Sequence, residues 1–401
     1  MRFSTRVAPL AALATAALLA PAGASAQTYP KPQEPAPVSS KPNGPHRTLA
    51  VCKKPRRCAF RTIQKAVDAA RAGDTIRVRN GVYREAVRVQ GSKKRFLRLI
   101  GNPSHPEKVL LWARGAMQNG IAVNGANEVT VDGFMTRDYK SNGFFFTNLT
   151  GYTMNHLIAR RTGVYGLYAF NTIGGRMINS EAYYANDGAF YIGQTPRQAK
   201  PVRTIVSNVE GWGSPLGFSA TNMRYVTITK SRFYNNAAGI VPNALDSEKF
   251  PPPEENAIVD NDIFWNNFNF QKGKPPFTVR KDGTAVLVPV GTGILLAENA
   301  DARSLERNVV RNNQFGMGGA DANGVDLMYD GSGRDNCFSL EGVNSTYPAD
   351  GSTFAGCGGA NAFSRSVQDG MIGFTGEGAL NGWVRHPHPA KPGYTPFEVI
   401  G

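Results

Sequence analysis

The chain has 401 residues, 41% of them hydrophobic and 19% charged, with a formal net charge of +15. Glycine and proline make up 44 and 26 residues, a rich share but well short of collagen-like or plainly disordered composition. The length allows a sizeable core. The one long apolar stretch lies at the N-terminus, which excludes a protein of many membrane spans.

In chain order, Arg2 and Arg6 precede an Ala/Leu-rich run from Val7 to Ala20 and the small-residue site Ala24-Ser25-Ala26. This pattern predicts a secretory signal peptide over 1–26, with no integral membrane segment after its removal. Residues 27–48 carry Pro30, Pro32, Pro35, Pro37, Pro42 and Pro45 and few apolar groups, which predicts a Pro-rich linker. The four cysteines are even in number, as expected of disulfides in an exported chain. Three pairings are open, and the local one, Cys52 with Cys58 and Cys337 with Cys357, is preferred. A zinc site would want closer spacing.

Basic residues concentrate near the start of the body. Residues 52–114 hold 17 Lys and Arg against 4 Asp and Glu, beginning with Lys53, Lys54, Arg56 and Arg57. Such a patch suits a polyanion such as an acidic polysaccharide or a wall polymer. No nucleic-acid reader motif accompanies it, so nucleic acid is not an expected partner. Thr62–Arg71 then places Ile63, Ala66, Val67 and Ala70 on one stripe, which predicts an amphipathic helix plugging one end of the fold.

The body repeats. Short apolar segments follow Gly120, Gly143, Gly166, Gly188, Gly217, Gly239, Gly293 and Gly316, at steps of 23, 23, 22, 29, 22, 54 and 23. The 29 reads as one rung with a loop near Pro196–Pro201, and the 54 as two rungs with a long insertion. A second strand series lies between, at Val129–Val131, Tyr225–Thr229, Ala257–Val259 and Leu305–Val310. Asn-rich corners occur at Asn235-Asn236, Asn266-Asn267 and Asn312-Asn313, where Asn tolerates left-handed backbone and can stack in ladders. Leucine is too sparse for a leucine-rich repeat, and a propeller blade is about twice this period. A parallel β-helix fits, with rungs stacked about 4.8 Å apart. The expected fold class is all-β: a parallel β-helix solenoid over 49–375 with an N-terminal capping helix, followed by a Pro/Gly-rich tail over 376–401.

The run Thr62-Ile-Gln, Ala66-Val, Ala69-Ala, Gly73-Asp-Thr-Ile, Val78 and Gly81-Val-Tyr-Arg-Glu85 resembles the opening segment of the pectin-lyase-like superfamily. The resemblance covers roughly 48–330 and implies a right-handed parallel β-helix. It names no activity, because that superfamily holds lyases, hydrolases, esterases and epimerases. The Gly-His-Gly of polygalacturonase-type hydrolases, the Asp-Phe-Ile-Phe-Gly of methylesterases and the Asp-Pro-His-Asp of alginate epimerases are absent from this chain. No tight Asp cluster of the calcium-binding pectate lyase kind stands out.

Residues that break the repeat frame are the site candidates. Asp187 is the only acid at the position preceding a rung glycine. Glu210, Asp246 and Glu248 add carboxylates on nearby rungs, so these four are candidate acid/base groups. Asp187 and Asp246 lie two rungs apart, roughly 10 Å along the axis, within reach of the spacing used by two-carboxylate glycosidases. Tyr191 and Trp212 are candidate sugar platforms, with Gln194 and Asn243 as polar partners. His156 has no acidic partner nearby in sequence. The expectation is a secreted, monomeric protein that binds a polysaccharide or other extracellular glycan and processes it by lyase or hydrolase chemistry. It needs no cofactor, although calcium remains open. The rival is a non-catalytic scaffold whose basic cap grips an anionic wall polymer.

Overall fold

A computed structural model describes residues 40–53, 58–244, 248–250, 252–267, 277–279, 285–287, 291–296, 305–316 and 323–373. The proposed signal peptide, most of the linker and the tail lie outside these residues. So do Lys54, Arg56, Arg57 and Asp246.

The described chain winds through two large sheets in which every pairing is parallel. Val129–Tyr139 belongs to the first sheet and Asn142–Thr150 to the second. The chain then returns as Tyr152–Thr162, which lies on Val129–Tyr139 with Tyr152 beside Val129 and Thr162 beside Tyr139. Tyr165–Ile173 lies on Asn142–Thr150 in the same way, with Tyr168 beside Phe145. Each residue therefore sits over one about 23 places earlier, and the expected parallel β-helix is what the chain forms. Among the described residues, antiparallel pairing is confined to a separate two-stranded pair, Phe277–Val279 with Ala285–Leu287.

The rung glycines open the strands of the second sheet, for a steric reason. A Cβ on Gly166 would stand 2.5 Å from the carbonyl oxygen of Ala189, and one on Gly239 would stand 2.4 Å from that of Gly293. Two parts of the repeat differ from expectation. Ala238–Asn243 pairs directly with Thr292–Leu296, so the step of 54 is one rung carrying a long insertion. Gly316 does not start a rung. It follows the first-sheet strand Gln314–Phe315, and the next second-sheet strand is Val325–Tyr329, directly after Gly324.

The inward rows, such as Phe144, Leu167, Phe190, Phe218 and Ile240, are fully buried and form one continuous core. The predicted helix spans Ile63–Ala69. Its N-cap is Thr62, whose side chain accepts from the Lys65 amide, and Ile63, Ala66 and Val67 are buried against the first rungs. Lys94 Nζ donates to the carbonyls of Val67, Asp68 and Ala70 and so closes the helix C-terminus. At the other end, helix Arg365–Gly373 packs Met371 and Val367 against the outer face of the second sheet, at Leu216, Ala238, Val241 and Leu295. The two local disulfides are present, with Cα–Cα distances of 5.7 Å for Cys52–Cys58 and 4.5 Å for Cys337–Cys357.

The corners share one device, a left-handed residue followed by a buried asparagine. Glu255, Arg307 and Asp335 have φ of 54°, 52° and 56° and precede Asn256, Asn308 and Asn336. Asp260 and Asn312 likewise precede Asn261 and Asn313, while Asn235 and Trp265 precede Asn236 and Asn266. Asn236, Asn256, Asn261, Asn266 and Asn308 each bond to the asparagine of the next rung. Asn256 Nδ2 donates to Asn308 Oδ1 and Asn308 Nδ2 to Asn336 Oδ1, both at 2.9 Å. Asn236 Nδ2 donates to Asn266 Oδ1 at 3.0 Å, and Asn266 Nδ2 to Asn323 Oδ1 at 3.2 Å. A left-handed L-residue costs about 1–2 kcal/mol. The ladder offsets that strain by satisfying backbone groups that the corner leaves outside the sheets.

Asn266→Ala removes the acceptor for the Asn236 amide and side chain and the donor to the Phe233 carbonyl. It should lower the unfolding free energy by about 2–4 kcal/mol, because buried donors are left unpaired. Asn155→Ala, which removes the acceptor for Asn179 in the exposed ladder Asn155–Asn179–Asn208, should cost less than about 1 kcal/mol. Urea midpoints of the two variants check the contrast, and equal losses would contradict it.

Candidate functional site

The second sheet turns an unusual row of side chains outward. Along it Phe145, Tyr168 and Tyr191 stand in register on successive rungs, with Tyr165 and Phe170 beside them in a cluster separate from the main core. The rings of Tyr165, Tyr168 and Tyr191 approach one another at 4.6–4.8 Å between centroids. Small residues continue the face, with Ser219 beside Tyr191 and Gly193 beside Phe170. The Tyr191 hydroxyl lies across Gly193, where a Cβ would come within 2.2 Å of it. Tyr191 is only 4% exposed, so its ring serves the cluster and offers no open face to a sugar.

Asp187 sits at the corner leading into strand Gly188–Gly193. Its backbone is tied to both neighbouring rungs, the amide to the Val164 carbonyl and the carbonyl to the Leu216 amide. The side chain is half-buried. Burial pushes its carboxyl pKa up to about 7, against a hydrogen bond from Tyr165 that favours the ionised form. Its Oδ2 is sealed from solvent and has no hydrogen-bond partner among the described residues.

The far end of the same strand carries a polar group. Gln194, left-handed at φ 48°, donates from Nε2 to Glu248 Oε2 at 3.1 Å. Burial raises the Glu248 carboxyl pKa, and the Gln194 bond opposes the shift. Thr221 and Asn243 follow on the next two rungs, in register with Gly193. Arg224 is fully buried, with Nε on Glu254 Oε2 and Nη1 on the Thr195 carbonyl, both at 3.0 Å. Glu254 is shared with Arg307 and with Arg197, the latter at 3.4 Å. Among the described residues, four buried atoms here lack partners: Gln194 Oε1, Thr195 Oγ1, Arg224 Nη2 and Asn243 Nδ2. Buried polar groups are normally paired, so such a concentration marks a place suited to a polar ligand.

Glu210 and Trp212 belong to the outer face of the first sheet. Trp212 stacks between Tyr183, at 4.2 Å and 5°, and Tyr234, at 6.2 Å and 18°, and its Nε1 donates to Glu181 at 2.7 Å. The stacking occupies the ring faces, so the indole serves the column rather than a sugar. Glu210 accepts from the Tyr234 hydroxyl at 3.2 Å and lies 3.5 Å from Arg232. The structure thus brings Gln194 and Glu248 together, places Asp187, Tyr191 and Asn243 on the same sheet, and separates Glu210 and Trp212 from them. Asp187 and Gln194 are seven extended residues apart, roughly 23 Å. That far exceeds the roughly 6.5–9.5 Å of an inverting carboxylate pair, so Asp187 and Glu248 do not form one.

Lys53, the described member of the predicted basic patch, lies 4.6 Å from the Tyr83 ring centroid. Sequence reasoning missed the acidic partner of His156, which is Asp132 at 2.9 Å on the preceding rung. It also missed Arg224 and Tyr165, which depend on partners far away along the chain. Among the described residues, no group of three or more His, Cys, Asp or Glu side chains could hold a metal ion, and no helix is long and apolar enough to cross a membrane.

No family model matches the chain, and no curated protein matches it. Solved structures do. The chain is similar to the A-module of mannuronan C-5 epimerase AlgE4 from Azotobacter vinelandii, at 17% identity over 69% of this chain and 71% of that one, with a TM-score of 0.46. It is similar to XylC, solved in complex with xylose, at 10% identity over 73% and 68% of the two chains and a TM-score of 0.49. Pectate lyase Pel9A matches at 14% identity over 74% and 76%, with a TM-score of 0.41. At these identities the likeness is one of fold alone, and the parallel β-helix itself rests on the strand register described above.

Proposed function

We propose that the protein acts on an extracellular polysaccharide along the outer face of the second sheet, with Asp187 as the proton-transfer group. One arrangement carries the reading. A carboxyl with a pKa near neutrality and a hydroxyl bonded to it stand at one end of strand Gly188–Gly193, and buried polar groups without partners stand at the other. A pKa close to the working pH is what general acid–base catalysis needs. The span between the two ends, roughly 23 Å, suits a chain of several sugar units. Two disulfides fit an oxidising, extracellular setting.

A single nearby carboxyl favours lyase over hydrolase chemistry. In a uronan, Asp187 takes the proton from the carbon beside the sugar carboxylate. That electron pair forms a C=C bond, the glycosidic C–O bond breaks, and Tyr165 supplies the proton to the departing oxygen.

The test is a panel of acidic and neutral polysaccharides, in calcium and in chelator. Absorbance of unsaturated ends and release of reducing ends are followed together. An unsaturated product is expected, reduced at least about a hundredfold in Asp187→Asn, with activity rising as pH rises through about 7 because the base must be ionised. Reducing ends without unsaturation, or full activity in Asp187→Asn, would overturn the reading. Absence of any product across the panel, with binding retained, would favour the scaffold.

A second prediction concerns stability. The folded pKa of Asp187 lies above its ordinary 3.8, so the folded state binds the proton more tightly. Its contribution is fully present below about pH 4 and fades as pH rises to about 7, by at most about 4 kcal/mol. Asp187→Asn should flatten that slope in urea titrations at a series of pH values and be the more stable protein at pH 8.

A further inference from the structure

We infer that the outer face of the first sheet, at its N-terminal rungs, is a separate binding track for a polyanionic polysaccharide, formed by arginines arranged around Trp112. The guanidinium groups of Arg114, Arg137 and Arg84 lie 4.3, 5.2 and 5.9 Å from the Trp112 ring centroid. Arg160 follows Arg137 in register on the next rung and lies 5.7 Å from the Tyr183 ring. Arg161 adds a fifth guanidinium close by, at Asp138.

One carboxylate answers these five cations. Asp138 is held by Arg161 through Nε at 2.5 Å and Nη2 at 2.7 Å, and it accepts from Trp112 Nε1 at 2.7 Å. Arg137 is a looser neighbour at 3.3 Å. Arg84, Arg114 and Arg160 have no carboxylate partner among the described residues. Aromatic side chains therefore hold these arginines, Arg160 also through a hydrogen bond to Tyr183, and the contacts leave most of their N–H donors for a ligand.

The geometry suits a linear anion. Tyr83 pairs with Leu111, Trp112 with Arg137, and Arg137 with Arg160. From Arg84 to Arg160 the positive groups climb four successive rungs, about 14 Å in three steps of about 4.8 Å. A guanidinium fork takes a carboxylate or sulfate through two parallel hydrogen bonds, so a chain lying along the axis can meet a fork on successive rungs. The track has a defined end. Beyond Arg160 the aligned positions are Tyr183, Trp212 and Tyr234, and the adjoining column turns acidic at Glu181 and Glu210. A polyanion is thus gripped over a few units and repelled further on. The track lies on the other sheet from Asp187, so it is independent of the reaction proposed there.

The mature protein is titrated with sodium polygalacturonate, dextran sulfate, neutral dextran and double-stranded DNA at two salt concentrations. Both acidic polysaccharides should bind in a salt-sensitive way, and neutral dextran should not. The variant Arg84→Gln/Arg114→Gln/Arg160→Gln should bind at least about tenfold more weakly, with an unchanged urea midpoint. The same number of charges is not needed for the control: Lys200→Gln/Lys230→Gln, exposed cations elsewhere on the coil, should bind as the parent does. Asp187→Asn should also bind as the parent, so loss of catalysis and loss of the track are told apart. Parent-like binding by the triple variant, failure of the parent to bind either acidic polysaccharide, or tighter binding of DNA than of both would overturn the inference.

Discussion

The asparagine ladders hold the corners of this coil. A strand pair needs only backbone to stay together, but a corner leaves amides and carbonyls outside the sheets. In the later rungs each is closed by a left-handed residue and a buried carboxamide that bonds to the rung above and the rung below. The carboxamide has a donor and an acceptor on one short arm, so it can repeat without limit along an axis. Where the ladder position holds serine instead, as at Ser214 and Ser231, the hydroxyl still takes part: Ser214 Oγ accepts from the Ala185 amide, and the backbone amides of Ser214 and Ser231 donate to Asn236 and Asn261. Since each rung is satisfied by its neighbours, stability is a property of stacked pairs.

That dependence explains how the long insertion between Asn243 and Thr292 is accommodated. The strands on either side pair with each other as directly as any two adjacent rungs. Within this interval Ala257–Val259 and Asp262–Phe264 keep their places in the first sheet, and lengthening the connections around them adds little closure entropy. The corner positions therefore control the fold while the intervals between them are free to vary, and loops that leave a rigid coil are where chemistry can be added.

Much of the fold was legible in the chain. Glycines recurred because a Cβ there would strike the carbonyl of the next rung, and paired asparagines recurred because each corner needs one residue for the turn and one for the ladder. The error over the 54-residue step arose because an insertion and an extra rung have the same length in sequence. The outer columns were not read, although they obey the same steps: Arg137, Arg160 and Tyr183 are 23 apart, and Trp212 follows at 29, as the glycines do. Once register is assigned, such columns can be written down without coordinates. Trp212 in isolation resembled a sugar platform, and only its neighbours above and below show that its faces are occupied. Arg224 was invisible for another reason. Its partner Glu254 is 30 residues away, and Glu254 in turn meets Arg307, a further 53 along, so no local pattern announces the network.

The uneven placement of charge has a consequence for how the molecule meets its surroundings. Nearly all the excess of Lys and Arg falls between residues 52 and 114, at one end of an elongated coil, while acids such as Glu181, Glu210 and Asp262 lie further along. The coil therefore carries an electric moment along its length. Near a negatively charged matrix it experiences a torque as well as an attraction. Such a torque favours an approach with the basic pole first.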